Sequence, residues 1–310
     1  MIASDRSISP YRGPSSARGA FGALDRLRHS LRKRADDAID TMLGDDVLSR
    51  LDRLQVKRGA SGVDPFGFDP NVAKYAVVIA RAIYKSYFRT QVFGIDNVPS
   101  GRVMFISNHS GQLPLDGLAI GSAMLLEANP PRFVRTMVEK WTQTLPFVSE
   151  LFQRCGQIVG VPENCIRLLE MDEAVLVFPE GARGISKTFD QRYKLTEFGL
   201  GFMRMALQTR TPIVPVAVIG AEEQYISVAN PRRLASLLGM PALPVMPQLL
   251  LPGGFLPLPT KYRVYFGAPL TFQGDPDDED AAIDEKVWVV KSTVQSMLNR
   301  GIKERKNIFY

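Results

Sequence analysis

The chain has 310 residues, 45% of them hydrophobic and 23% charged. This composition excludes disorder as the dominant state and allows one large domain or two of roughly 150 residues. A chain this long buries about 75% of the surface its unfolded form exposes, so a preformed site needs no disulfide or metal support. The 38 basic and 32 acidic residues leave a net charge of +6, which keeps nucleic acid, membrane surfaces and phosphorylated metabolites open as partners.

Residues 1–19, rich in Ser, Arg, Gly and Pro, are expected to form a disordered tail. The start MIASDRSISP has no apolar run of secretory type, and the expected location is cytoplasmic. Residues 20–70 are expected to be an amphipathic basic helical region followed by a linker. Phe21, Leu24, Leu27 and Leu31 recur at helical spacing among Arg26, Arg28, Arg32, Lys33 and Arg34, and a break is expected at Gly44. Such a helix either lies on anionic lipid or packs on the main domain. Asp69 and Pro70 read as the N-cap and first position of the next helix, on which Arg81, Lys85 and Arg89 recur and forbid an ordinary bilayer span.

From residue 71 to 310 a single domain is expected. Strands are predicted at Thr90–Phe93, Val103–Ser107, Phe133–Met137, Ala174–Phe178, Ile213–Ile219 and Tyr262–Phe266. Helices are predicted near 115–127, 143–154, 164–171, 195–208 and 281–300. The alternation argues an α/β fold, a mostly parallel central sheet flanked by helices, with sites at the carboxyl ends of its strands. Met240–Thr260 has no charged residue and six prolines; it cannot be a helix, and either touches membrane or acyl chains or packs over the core.

Metal and redox chemistry find little support. Cys155 and Cys165 are the only cysteines, ten residues apart, so they form no zinc knuckle or Cys-x-x-Cys pair and are expected as buried thiols of a reducing compartment. Of two histidines, His29 lies among basic residues of the first helix. His109 follows the strand Val103–Ser107 in FISNHSGQLPLDG, where a parallel strand delivers a residue to the active edge. An imidazole with an unperturbed pKa near about 6.5 can take a proton from an alcohol there. Asp116 lies in the first turn of a helix begun by Pro114, favourable for a carboxylate. After the strand from Ala174, the turn Pro179-Glu180-Gly181-Ala182-Arg183-Gly184 exposes Glu180 and Arg183, with Lys187, Arg192 and Lys194 following; this describes either a phosphate pocket or a surface ion pair.

The blocks NHSGQLPLD and FPEGARG, with CGQIVGVPENCIRLL and TPIVPVAVIGAEE, resemble the four ordered blocks of the glycerolipid (lysophosphatidic acid type) acyltransferases over about residues 85–270. The six residues between His109 and Asp116, the Val161-Pro162-Glu163-Asn164 stretch and the terminal GAEE look more like the branch with monoacylglycerol and diacylglycerol acyltransferase relatives. The resemblance implies acyl transfer from acyl-CoA or acyl carrier protein to a glycerol hydroxyl, without metal or cofactor. It implies His109 as general base with Asp116 as partner, and Glu180, Gly181, Arg183 and Lys194 around the acceptor. Gly111 is the candidate oxyanion donor. The implied partners are the acyl donor, a glycerolipid acceptor and an anionic membrane, with the protein peripheral on its inner face.

Other readings differ in class. A non-catalytic lipid-binding protein could retain this fold. A hydrolase would want a Gly-x-Ser-x-Gly elbow, which does not occur. Nucleic acid is not an expected partner, because the basic residues gather on an amphipathic helix rather than among stacking aromatics. The catalytic reading requires His109 and Arg183 to converge on one cavity.

Overall fold

The computed structural model describes residues 15–54, 64–140, 142, 148–237 and 242–310. Two compact units are distinguished, Met1–Asp45 and Asp46–Tyr310. Helix α1 (Ser15–Asp52) is interrupted where expected, at Gly44, whose φ of 76° and ψ of 160° are not helical. Most of the predicted tail lies outside the described residues, and its end, Ser15–Gly19, is helical.

In the second unit, α2 (Pro70–Ala82) starts as its sequence dictates: the Asp69 side chain accepts from Asn71 N, and Pro70 occupies the first turn. It runs into one wider turn, Ile83–Tyr87. Then follow β1 (Gln91–Phe93), β2 (Val103–Ser107), α3 (Leu115–Leu126), β3 (Val134–Val138), α4 (Val148–Arg154) and β4 (Ile158–Val159). The rest of the chain forms α5 (Pro162–Glu170), β5 (Ala174–Val177), α6 (Ala182–Ile185), α7 (Gly201–Thr209), β6 (Ile213–Ile219), α8 (Arg232–Leu237), β7 (Arg263–Phe266) and α9 (Asp280–Glu304). Predicted strands at β2 and β6 match residue for residue. The predicted helix 195–208 begins only at Gly201, because Leu195 and Thr196 spend their amides on the side chains of Gln295 and Glu180. Of the predicted helix 143–154, residues 143–147 lie outside the described residues.

The strands form one sheet in the order β1-β7-β6-β2-β5-β3-β4. All adjacent pairs are parallel except β6 with β7, where Val216 faces Phe266 and Ile219 faces Arg263. In β2, Val103 and Phe105 point to one face, and Met104 and Ile106 to the other. The first face packs on Ile120 and Met124 of α3; the second on Leu168 of α5, Phe202 of α7 and Val287 of α9. Helices on both faces leave β2 with no exposed residue, the condition that permits its unbroken apolar run. Among the described residues no helix is long and apolar enough to cross a membrane.

Candidate active site

The site begins where β2 runs out. Asn108, fully buried, takes over from the strand: its Nδ2 donates to Val218 O (3.1 Å) and its Oδ1 accepts from Val218 N (2.8 Å), tying the chain to β6. The next residue, His109, is thereby delivered at the carboxyl edge of the sheet. Its backbone N donates to Glu180 Oε1 at 3.0 Å, and its ring stacks on Phe178 with centroids 4.1 Å apart.

Asp116 reaches His109 across the six-residue interval. Gly111, at φ +73°, makes the turn, and a Cβ there would stand 2.1 Å from Gln224 Nε2 and 2.7 Å from Ala221 O; only glycine fits. Asp116 follows in the first turn of α3, completely buried. Its Oδ2 lies 2.8 Å from His109 Nδ1 and accepts from Ser110 N (2.8 Å) and, weakly, Ser110 Oγ (3.4 Å). Its Oδ1 accepts from Gly117 N at 2.7 Å. A carboxylate that accepts Nδ1–H leaves Nε2 of the neutral ring with its lone pair. Among the described residues nothing hydrogen-bonds to Nε2.

Glu180 points inward. Oε1 is occupied by His109 N; Oε2 accepts from Thr196 N (2.8 Å) and Thr196 Oγ1 (3.0 Å), and Lys187 Nζ stands 3.7 Å away. Lys187 also pairs with Glu222 Oε1 at 3.0 Å, while Glu222 Oε2 accepts from Tyr193 N. Burial, the largest influence, pushes the Glu222 carboxyl up to about 7 against the pull of Lys187. Glu180 is thus the post on which the His109 backbone hangs, rather than an exposed turn residue as the sequence suggests.

Gly181 opens the following turn at φ +56°. Gly184 presses on His109 so closely that a Cβ would stand 2.8 Å from His109 Cβ. The Arg183 side chain between them is 54% exposed, with Nη2 donating to Glu197 O (3.0 Å) and Nη1 3.8 Å from Glu197 Oε2. Arg183, Lys187 and the exposed Lys194 line a basic cavity of about 380 Å³ with Thr196 and Asn230. His109, expected to share a cavity with Arg183, does not line this one. A separate, mostly apolar cavity of about 390 Å³ lies between α2, α3 and β3 and is bounded by Gly117 and Phe178, the ring that stacks on His109. His109 meets the apolar space through Phe178, and Gly184, which packs on it, is the neighbour in sequence of Arg183 in the basic one. Among the described residues no group of three or more His, Cys, Asp and Glu side chains is placed to hold a metal.

Residues 89–219 match the family model described as Acyltransferase. An uncharacterized protein of Mycobacterium leprae is 39% identical over 256 residues, 80% of this chain and 70% of that one. A mouse protein named as a DGAT1/2-independent enzyme synthesizing storage lipids is 23% identical over 220 residues, 71% of this chain and 61% of that one. The crystal structure of the 1-acyl-sn-glycerophosphate acyltransferase PlsC of Thermotoga maritima has a TM-score of 0.49 at 17% identity, covering 91% of this chain and 99% of that chain. The family match spans the elements that carry the His109 and Glu180 blocks, and the chain belongs to the acyltransferase superfamily that this model describes.

Proposed function

We propose that the protein moves a fatty acyl group from a thioester, acyl-CoA or acyl carrier protein, to a glycerol hydroxyl of a lysophospholipid or acylglycerol at a membrane surface. The observation that carries this reading is the His109–Asp116 pair, with Nδ1 held at 2.8 Å and Nε2 left for a substrate. Nε2 takes the hydroxyl proton as the oxygen attacks the thioester carbonyl. Asp116 keeps the proton on Nδ1 and stabilises the imidazolium. The tetrahedral intermediate collapses, the C–S bond breaks, and the thiolate recovers the proton from Nε2. Gly111 and its neighbouring amides receive the oxyanion in this reading. The donor arrives already activated, so the mechanism calls for no metal or cofactor.

The apolar cavity behind Phe178 suits the acyl chain, and Arg183 and Lys194 suit an anionic acceptor headgroup. The mouse relative's name supports a lipid product. The association is peripheral, on the cytoplasmic side. The test pairs one labelled acyl-CoA with lysophosphatidic acid, monoacylglycerol and diacylglycerol. His109→Ala should lower turnover roughly 10²- to 10⁴-fold with the best acceptor while the protein stays folded. Unchanged turnover would remove His109 from the chemistry. Vesicle binding without transfer from any donor would favour the non-catalytic lipid-binding reading.

A further inference from the structure

Between the active end of β6 and the start of β7 the chain makes a long excursion, and residues 242–260 of it carry no charged side chain. Its tip faces outward. Leu250 is 88% exposed, Phe255 71% and Leu251 65%, with Leu249 and Leu256 about half exposed. Scattered exposed leucines are ordinary. Large apolar side chains crowded into residues 249–256 form a patch that a soluble monomer seldom shows without using it. Val228, Leu234 and Leu237 are exposed as well, on a stretch held beside the loop by the Ala229–Val245 bridge and by Ile226 N donating to Gln248 Oε1.

Much of the loop's backbone has no donor left for water. Pro244, Pro247, Pro252, Pro257 and Pro259 have no N–H to satisfy. The N–H groups of Leu251, Gly254, Leu256 and Leu258 are bonded within the protein, to the carbonyls of Gln248, Leu251, Gly253 and Gln224. Backbone donors that do not need water can enter lipid at small cost. The patch is also fixed to the site: Gln224, which anchors Leu258, donates to Leu113 O and packs on Gly111 in the loop after His109.

Charge selects the occupant. One flank of the patch reaches Asn230, which shares the basic cavity with Arg183 and Lys194, and exposed Arg233 lies next to Leu234. At the other flank Arg89 is held by the carbonyls of Tyr87, Pro259 and Phe309, beside the exposed rings of Phe309 and Tyr310. Of the carboxylates around that cavity, Glu180 and Glu222 are buried against Lys187, Glu197 is engaged with Arg183, and Asp190 accepts from Gln191. A second copy docked by the same patch would set like-charged flanks together. An anionic bilayer meets both the apolar tip and the cations around it.

We infer that this surface is the one by which the protein rests on an anionic lipid bilayer, with residues 249–256 among the acyl chains and the basic flanks at the headgroups. The inference rests on the acyl-transfer reading, for which it brings the His109 loop to the lipid interface. The test uses the full chain and vesicles of phosphatidylcholine and phosphatidylglycerol in equal parts. Leu250→Asp combined with Phe255→Asp should weaken vesicle binding at least about tenfold, with transfer to a water-dispersed short-chain acceptor unchanged. Leu250→Trp should gain emission that brominated acyl chains quench, a readout independent of any binding through helix α1. Vesicle-bound Leu250→Trp without added quenching would overturn the inference. So would wild-type vesicle binding by the double variant, or a self-associated wild type turned monomeric by that variant. Quenching in a protein that transfers no acyl group would sink the acyl-transfer reading and leave the surface standing.

Discussion

Asp116→Asn preserves the shape of a fully buried side chain and removes its charge, and under the proposed mechanism it should lower turnover by about two to four orders of magnitude. The hydrogen bonds show why. The carboxylate offers two acceptor oxygens, Oδ2 to His109 Nδ1 and Ser110, and Oδ1 to Gly117 N. An amide has one acceptor. With its oxygen at the Oδ2 place, its NH₂ confronts Gly117 N at about the 2.7 Å separation seen for the carboxylate, and an unsatisfied buried donor costs about 1–3 kcal/mol. Turned the other way, the NH₂ confronts His109 Nδ1 and Ser110 N, and the ring must shift its proton to Nε2, the atom that has to accept one. Either arrangement also removes the anion facing the imidazolium, and the expected fall corresponds to about 3–5 kcal/mol of transition-state stabilisation. Steady-state acyl transfer should show the loss in kcat, with the KM for the donor within about twofold of wild type, and thermal melting should confirm the fold. A folded variant turning over within about threefold of wild type would refute the reasoning.

Two further predictions concern buried charge. Asp64 Oδ2 lies 2.6 Å from Arg135 Nη1 with both side chains 2% exposed, and Asp64 Oδ1 accepts from Phe66 N and Phe68 N; Asp64→Ala should cost about 3–5 kcal/mol in urea denaturation, partly recovered by adding Arg135→Met, and a loss below about 1 kcal/mol would mean the pair does not hold residues 64–68 to β3. Glu222 keeps its proton to about pH 7 in the folded protein, so its contribution is fully present below about pH 4.5 and lost as pH rises through about 7, a change on the order of 3 kcal/mol. Denaturation midpoints should therefore fall between about pH 5 and about pH 8 in wild type and less in Glu222→Gln; parallel curves would show that another group sets the slope.

Elements that announce themselves by local pattern were legible in the sequence. The apolar runs of β2 and β6 are buried on both faces, and no partner was needed to recognise them. β4 was missed because two residues between Gly156 and Gly160 have no period to read. At the site, the positions of His109 and Asp116 followed from strand end and helix start, but their contact depended on the turn at Gly111, whose constraint comes from Gln224 and Ala221 more than a hundred residues away. Glu180 was noticed as a motif residue, yet its orientation was decided by Thr196 and Lys187, and the Lys187–Glu222 pair had no local signature. Long-range pairing of polar groups was the part that pattern reading could not supply.

The reversed pairing of β6 and β7 has an evolutionary reach. Because β6 leaves and β7 returns at the same edge of the sheet, everything from Gly220 to Tyr262 is a detour that begins and ends beside the site without crossing the fold. Doubling the length of such a detour costs only about 0.6 kcal/mol of closure entropy. Relatives are thus free to rebuild the part of this stretch beyond Gln224, and to change the environment they work in, while β2, α3 and the pair they position stay as they are.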